Sequence, residues 1–205
     1  MIQNEFYKQI PGYFSFAPAY DRAIQIAEDG DTYVEIGAWL GQSICYLAHG
    51  IQEAKKNVRI YTVDTWEGEP GNVEQLAIIN RAGGSEKFYK EFLLHLEIGN
   101  IRDIVCPIKS TSVEAAKRFT DLSINFCFVD GAHDYNSVMA DLYHWFPKIA
   151  KGGVIAGHGY HLRDGVQVCQ AVHEFLLMTQ GIIDKFDVDF RSRVWWVQKS
   201  KEFFQ

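Results

Sequence analysis

Long apolar segments are absent from this 205-residue chain. Its longest apolar runs, such as residues 123–129, are far shorter than the roughly 20 residues that a membrane-spanning helix requires. The first residues also lack the basic start and apolar run of a secretory signal. We therefore expect a cytoplasmic protein without membrane association, and the length suits a single domain over residues 1–205.

Paired cysteines and clusters of basic residues are absent as well. The four cysteines form no Cys-x-x-Cys pair, so we predict small buried side chains in a reducing compartment: Cys45, Cys106, Cys127 and Cys169. The net charge is −6, and no run of lysine or arginine is longer than two. Because a nucleic-acid backbone binds to a basic face, we expect no nucleic-acid partner.

Strand-like and helix-like segments alternate along most of the chain. Short runs rich in valine, isoleucine and aromatic residues predict strands at 33–36, 59–63, 105–109, 124–129 and 153–156. Helical patterns lie between them, at 43–54, 86–97, 113–119, 135–149 and 165–179, and an earlier helix is predicted at 19–28. This alternation indicates an α/β fold with a mostly parallel sheet and helices on both faces.

Three segments depart from the alternation. Residues 186–190 and 194–198 read as strands whose short link allows an antiparallel hairpin but no helical crossover. Residues 1–30 contain an aromatic segment and a helix, a candidate lid or dimer element. Residues 67–83 form a glycine-containing insertion, longer than most connections and therefore a candidate lid. Trp195 and Trp196 on the last strand suggest a homodimer if they are exposed, and core packing if they are not.

The unusual polar residues fall where the predicted strands end. In open α/β sheets, ligands bind outside the carboxyl ends of the strands, so we expect these residues to share one rim. In chain order they are Glu35, Gly37, Gly41, Ser43, Asp64, residues 110–112, Asp130, His133, His158 and His161.

The first two strand ends carry acidic residues, which favours one class of ligand. Glu35 would repel a pyrophosphate but suits a ligand with positive charge. The glycines allow a ligand to approach the backbone, and the helix start at Ser43 offers free N–H groups. Together with Asp64, these features indicate a cationic nucleoside rather than a nucleotide. The absence of Gly-x-Gly-x-x-Gly after the first strand argues against a nicotinamide dehydrogenase.

Several of these residues also have a purely structural explanation. Gly37 and Gly41 could serve only a tight strand-to-helix turn. Asp64 could cap the following loop, and residues 110–112 are ordinary helix N-caps. Both interpretations stay open at these positions.

Asp130 and the histidines near it are stronger candidates for chemistry. Asp130 ends the apolar run 124–129, where a carboxylate is costly unless it is paired or used. His133 and His158 lie beside the expected cleft, and His161 is a weaker candidate. These four side chains would also suit a metal-dependent hydrolase, an alternative that leaves the acidic ends of the first two strands unexplained.

Four strand ends read Glu35-Ile-Gly-Ala-Trp-Leu-Gly41-Gln-Ser43, Val63-Asp64, Phe128-Val-Asp-Gly-Ala-His133 and Gly152-Gly-Val-Ile-Ala-Gly-His158. In this order they resemble class I S-adenosylmethionine-dependent methyltransferases. The subgroup most similar to them is the small bacterial O-methyltransferases with an Asp-Gly-x-His motif, which have catechol-type relatives. The resemblance covers about residues 30–200. It implies a Rossmann-like, doubly wound sheet of seven strands, mostly parallel with a C-terminal antiparallel hairpin, in the order 3-2-1-4-5-7-6.

The resemblance also implies residue roles. The first strand end would hold the amino-acid part of S-adenosylmethionine, the second its ribose hydroxyls and the third its adenine; the residues concerned are Glu35, Gly37, Gly41, Ser43, Asp64, Ser112 and Asp130. Methyl transfer to a hydroxyl must align the nucleophile and remove its proton, so the candidate catalytic residues are Asp130, His133 and His158. The implied activity is O-methylation of a small-molecule acceptor, an EC 2.1.1 reaction. From apolar character alone, we expect Tyr160, the aromatic N-terminal segment and the insertion 67–83 to shape the acceptor pocket.

A metal is implied by the resemblance at one position only. In metal-dependent relatives the residue matching Asp130 helps to bind Mg²⁺, and further ligands follow the fifth strand. The subgroup reads His-Asp-Tyr there, whereas this chain has Gly159 between His158 and Tyr160. Because Mg²⁺ prefers oxygen ligands, the missing carboxylate leaves three alternatives. The protein uses no metal, it is a cofactor-binding module with weakened catalysis, or position 159 has been altered. Carboxylates that could substitute for the missing one are Asp134, Asp141 and Asp164.

Overall fold

The computed structural model describes residues 3–163 and 165–202. It contains strands β1 Thr32–Ile36, β2 Arg59–Asp64, β3 Val105–Lys109, β4 Ile124–Val129, β5 Ile149–Gly157, β6 Ile183–Asp189 and β7 Val194–Lys199. These form one sheet in the order β3-β2-β1-β4-β5-β7-β6. The first five strands pair in parallel, and β7 pairs antiparallel with both β5 and β6. The predicted fold class, strand order and C-terminal hairpin are confirmed.

Helices cover both faces of this sheet. They are α1 Ala17–Ile26, α2 Gln42–Glu53, α3 Val73–Ala82, α4 Ser85–Ile98, α5 Ser112–Ala116, α6 Tyr135–Trp145 and α7 Val166–Met178, with short 3-10 helices at Phe6–Gln9 and Phe146–Lys148. One core layer includes side chains of α1, α2 and α4, and the other includes side chains of α5, α6 and α7. Within the described residues, none of the helices has both the length and the apolar character needed to cross a membrane.

Alternate side chains of the central strands enter opposite core layers. Tyr33 of β1 packs in the first layer, whereas Val34 packs in the second. Parallel pairing sets Tyr33 beside Phe126 and Val34 beside Cys127 of β4. Strands that are buried on both faces read as continuous apolar runs, which explains the composition of β4. The same parallel arrangement brings the carboxyl ends of five strands to one edge of the sheet.

The predicted helix 135–149 is wrong at its end. In the structure α6 stops at Trp145, and residues Phe146–Lys148 form a 3-10 turn. The cause is Pro147, which has no N–H to donate to the carbonyl four residues earlier, so the α-helical hydrogen-bond pattern cannot continue through it. Ile149 is buried, as its helical spacing suggested, but it opens β5 instead of closing the helix.

The tryptophans of the last strand belong to the core. Trp195 is 0% exposed and Trp196 is 3% exposed. Although β7 is last in the chain, it lies between β5 and β6, and its faces are covered because Trp195 packs in one core layer and Trp196 in the other. The tryptophan argument for a homodimer is therefore wrong, and the dimer itself stays a prediction.

The cysteine prediction holds for three of the four residues. Cys45, Cys127 and Cys169 are buried, whereas Cys106 is exposed. Cys106 lies on β3, which is the edge strand of the sheet and is only partly covered. Cys106 is exposed because β3 is at the edge of the sheet, and the position of a strand in the sheet cannot be read from the sequence pattern.

The insertion 67–83 contains a helix that the sequence pattern did not predict. Helix α3 begins after Asn72, whose side chain accepts a hydrogen bond from the N–H of Gln75, and it ends at Gly83 with φ +95°. Val73 is 78% exposed and Leu76 is 36% exposed, so the helix has little of the buried apolar stripe that reveals most helices.

Candidate functional site

A cavity of about 570 Å³ opens at the carboxyl ends of the parallel strands. Every parallel strand is followed by residues that line it. The predicted site residues in its lining are Gly37, Ser43, Asp64, Ser112, Asp130, His133 and His158. Glu35 and Gly41 are not among the lining residues. A second cavity, of about 490 Å³, is lined by α6 and α7 and includes none of the predicted site residues.

The two glycines after β1 fix the path of the backbone. Gly37 has φ +94°, and a Cβ atom built on it would lie 2.1 Å from the carbonyl oxygen of Asp130. Gly41 has φ +93° at the N-cap of α2, and its Cβ would lie 3.1 Å from the ring of Phe92. Gly37 is thus required for the close approach of β1 to the end of β4, and both glycines serve the strand-to-helix turn.

Glu35 lies beneath the cavity, not on its wall. The side chain is 1% exposed, and its carboxylate accepts hydrogen bonds from the hydroxyls of Tyr20, at 2.6 Å, and Thr62, at 3.1 Å. Burial raises the pKa of Glu35 to about 7, although hydrogen bonds from Ser43, Tyr20 and Thr62 oppose the shift. Ser43 lines the cavity, so it connects Glu35 to the ligand space.

Asp64 joins the two loops that follow β1 and β2. Its Oδ2 accepts hydrogen bonds from the backbone N–H groups of Ala38 and Trp39, both at 2.9 Å, and its Oδ1 accepts one from Trp66 at 2.7 Å. Burial raises the pKa of Asp64, and these N–H groups oppose the shift. The loop-capping interpretation of Asp64 is therefore correct, and the side chain also lines the cavity.

Sequence reasoning missed the tryptophans in these loops. Trp39 has φ +48° and Trp66 has φ +56°, a left-handed backbone that bulky residues adopt rarely. The indole N–H of Trp66 donates to the carbonyl of Trp39 at 2.8 Å. In the sequence, the signal for this contact is weak: Trp39 lies between Gly37 and Gly41, in a loop where a bulky residue is unusual.

Ser112 is held in a small polar network at the far side of the cavity. Its hydroxyl hydrogen-bonds to the carboxylate of Asp141 and accepts a bond from the indole N–H of Trp145 at 2.8 Å. The N-cap of α5 is its neighbour Thr111. Asp141 is 5% exposed, and burial raises its pKa to about 6. It lines the cavity at this end, a position that the sequence did not suggest.

Asp130, His133 and His158 meet beyond the ends of β4 and β5, on the other side of β1 from β2 and β3. The Oδ1 atom of Asp130 lies 3.3 Å from Nε2 of His133 and 3.2 Å from Nδ1 of His158. Hydrogen bonding to Asp130 raises the pKa of His133. Phe16 packs beside the His158 ring, with 5.2 Å between the ring centroids. All three predicted catalytic residues are therefore in one cluster.

Mg²⁺ fits this cluster poorly. The three side chains offer one carboxylate and two imidazole nitrogens, whereas Mg²⁺ requires mostly oxygen ligands in octahedral geometry. Gly159 supplies no carboxylate, and its φ of +82° is left-handed. The chemistry of the donor set thus disagrees with the magnesium site that the resemblance implied.

Two of the three carboxylates considered as substitutes, Asp134 and Asp141, do not join the cluster. Asp134 is the N-cap of α6 and accepts a bond from the N–H of Ser137 at 3.1 Å. Asp141 is held by Ser112, and Asp164 lies outside the described residues. The cluster of candidate metal ligands in the described residues consists of Asp130, His133 and His158, so the hydrolase alternative lacks His161 as its fourth member.

Two segments border the mouth of the cavity. Gly12 and Tyr13 of the N-terminal segment line it, as do residues 68–70 of the insertion. The Tyr13 hydroxyl lies 3.3 Å from the Glu74 carboxylate, so the two segments meet there. Tyr160, expected in the acceptor pocket, is instead 4% exposed and hydrogen-bonds to His173 at 2.6 Å, outside the cavity lining. That expectation for Tyr160 is wrong.

The chain matches a known protein family. A methyltransferase domain family matches residues 34–160, which is more than half of the chain. Among curated proteins, the uncharacterized protein y4gI of Sinorhizobium fredii is 27% identical over 134 residues, which are 64% of this chain and 13% of that protein. The chain thus spans a small part of the length of this relative.

Solved structures share the fold at low sequence identity. A protein of Corynebacterium glutamicum has a TM-score of 0.72 at 11% identity, covering 100% of this chain and 94% of that one. The O-methyltransferase NovP has a TM-score of 0.64 at 17% identity, with 91% and 80% covered. SMU.1697c of Streptococcus mutans, in complex with SAH, has a TM-score of 0.61 at 13% identity, with 92% and 99% covered.

Proposed function

Because the chain belongs to this methyltransferase domain family, we propose that its cavity binds S-adenosylmethionine and directs the methyl group to a hydroxyl of a small molecule. The observation that carries the proposal is the convergence of five strand ends on one cavity, with Asp64 and Ser112 at one side and Asp130 at the other. The volume of about 570 Å³ is within the usual range for small-ligand sites, roughly 300–1,000 Å³.

The charges around the cavity support this cofactor. S-adenosylmethionine carries a sulfonium, an ammonium and no phosphate. Glu35 and Asp64 are acidic groups at the ends of β1 and β2, which favour a cation and disfavour a nucleotide phosphate. SAH, found with SMU.1697c, is the demethylated form of the same molecule. In this proposal Glu35 acts through Ser43, Gly37 and Gly41 set the backbone path, and Asp64 binds the ribose.

The cluster at the other end of the cavity supports an oxygen nucleophile. The acceptor oxygen attacks the methyl carbon while the carbon–sulfur bond breaks, which leaves a neutral thioether. The hydroxyl proton must go to a nearby acceptor, and the imidazoles of His133 and His158 beside Asp130 are suitable bases. Tyr13 and residues 68–70 border the same space, so we assign the acceptor pocket to this side. A net charge of −6 favours a small acceptor over a nucleic acid.

The test is a transfer assay with methyl-labelled S-adenosylmethionine. The enzyme is incubated with a panel of hydroxylated ring compounds and sugars, and separately with RNA, and products are identified by mass spectrometry. We expect label on an oxygen of a small molecule. Asp130→Asn should reduce this transfer by about 100-fold or more, because Asp130 holds both imidazoles that accept the proton and acid–base catalysis contributes on the order of 10²–10⁴.

The matched control for this assay is Asp103→Asn, since Asp103 is exposed and outside the cavity lining. It should transfer at the wild-type rate. Label found only on RNA, or on nitrogen or carbon, would refute the proposed acceptor.

A further inference from the structure

We propose that Asp130, His133 and His158 form a binding site for a divalent transition-metal ion of the zinc type, selective against Mg²⁺. The inference does not depend on S-adenosylmethionine binding, because it rests on the donor atoms and their geometry alone. It goes beyond the magnesium site of the resemblance, which needs a carboxylate that this chain lacks.

The distances between the donor atoms match those around a small ion. Zn²⁺ binds imidazole nitrogen and carboxylate oxygen at about 2.0–2.2 Å, so two ligands at a tetrahedral angle lie about 3.4 Å apart. The two nitrogens lie 3.3 Å and 3.2 Å from Oδ1 of Asp130. These contacts are long for charge-assisted hydrogen bonds, which are about 2.7–2.9 Å. An ion would therefore need only small shifts of the three side chains.

The backbone holds two of the three ligands on neighbouring strands. The N–H of Asp130 donates to the carbonyl of Ile36 at 2.8 Å, which ties the end of β4 to β1. The N–H of His158 donates to the carbonyl of Val129 at 3.0 Å, which ties the end of β5 to β4. The third ligand, His133, is on the loop after β4, and its side chain is 45% exposed. Two ligands are thus preorganised and the third can adjust.

Gly159 explains why His133 can join the site. A Cβ atom at position 159 would lie 2.7 Å from Cδ2 and 3.0 Å from Nε2 of His133. The imidazole therefore occupies the space that a side chain at 159 would need. Because residue 159 has no side chain, the His133 ring can approach Asp130. At this place the site therefore offers the Nε2 atom of His133, where the resemblance implied a carboxylate oxygen.

Ligand chemistry sets the selectivity. Imidazole suits Zn²⁺, Cu²⁺, Fe²⁺ and Ni²⁺, whereas Mg²⁺ prefers oxygen and binds an all-oxygen sphere. Three protein ligands with further positions open is the pattern of catalytic zinc sites. All three side chains line the cavity, so the open positions face the ligand space. With an ion bound, the two histidines would serve as ligands, and the ion would instead help an acceptor hydroxyl at an open position to lose its proton.

The test is calorimetric titration of the chelator-treated full chain with ZnCl₂ and with MgCl₂. We expect Zn²⁺ to bind at one site at least 100-fold more tightly than Mg²⁺. His133→Ala and His158→Ala should each weaken Zn²⁺ binding at least tenfold. His144→Ala removes a histidine of α6 outside the cluster and should leave it unchanged. Equal affinity for the two ions in the wild type, or Zn²⁺ binding unaffected by both cluster variants, would overturn the proposal.

A second variant tests the arrangement without removing a ligand. Gly159→Ala should displace His133 and weaken Zn²⁺ binding about as much as His133→Ala does. Retention of wild-type Zn²⁺ affinity in Gly159→Ala would show that the ring does not need that space. Circular dichroism and binding of SAH, measured on the same samples, separate a lost metal site from a lost fold and from failure of the cofactor assignment.

Discussion

At the scale of single residues, the buried carboxyl groups are the most informative feature of the site. Glu35 and Asp141 are both less than a tenth exposed, and burial raises the pKa of each, to about 7 and about 6. The sequence pattern predicted that the acidic residue Glu35 lies at the end of a strand. It cannot reveal that hydroxyls from a helix and a neighbouring strand, Tyr20 and Thr62, surround that acid.

The raised pKa of Glu35 predicts a pH dependence of stability. Between its ordinary value of 4.5 and about 7, the folded protein holds this proton while the unfolded chain releases it. Glu35 therefore makes stability fall as pH rises through this window, by up to about 3 kcal/mol. Glu35→Gln keeps oxygen and size but removes the titration. Urea unfolding at pH 5 and pH 8 should show a smaller decrease in the variant.

Asp141 has the same sign of effect, so part of the decrease should persist in Glu35→Gln. An equal decrease in the variant and the wild type would contradict the assignment of the titration to Glu35.

At the scale of elements, the sequence predicted most strands and helices but not their environment. Five apolar runs were identified as strands, because strands buried on both faces show no alternation that could be confused with a surface helix. The end of α6 was missed because Ile149 continues the helical spacing through Pro147. Helix α3 was missed because its apolar residues are largely exposed. Burial of Trp195 depends on the sheet order, which spacing alone does not report.

The contact between β1 and β4 gives an element-level prediction. Gly37→Ala places a methyl group 2.1 Å from the carbonyl oxygen of Asp130, so the two strand ends must separate. We expect a loss of about 3 kcal/mol or more in the free energy of unfolding, since overpacking adds to the left-handed strain. Gly30→Ala is a matched control with the same φ of +94° and open space around its Cβ.

Gly30→Ala should lose only about 1–2 kcal/mol, the strain of a left-handed residue. Both values are read from urea unfolding. Equal losses in the two variants would mean that the approach of β1 to β4 at Gly37 is not tight.

At the scale of the whole molecule, the sheet order turns scattered residues into one site. Residues from 37 to 158 in the chain meet at one cavity because parallel strands end on the same edge. The sequence predicted this rim and most of its members. It did not predict which members touch the cavity, since Glu35 lies beneath it, nor that His133 fills the space beside Gly159. Those facts depend on side-chain packing between distant segments.

Calorimetric titration of the wild type and of Asp64→Asn with S-adenosylmethionine decides whether the cavity is a site for this cofactor. The amide keeps an oxygen for the N–H groups of Ala38 and Trp39, turns its NH2 toward the N–H of Trp66 and removes the charge that strengthens a ribose hydrogen bond. Circular dichroism and urea unfolding of the variant separate a lost charge from a disturbed loop. We expect saturable one-to-one binding to the wild type, at least about tenfold weaker binding to Asp64→Asn, and unchanged binding to the exposed control Asp103→Asn. No binding to the folded wild type, or equal affinity in Asp64→Asn, would contradict the cofactor assignment.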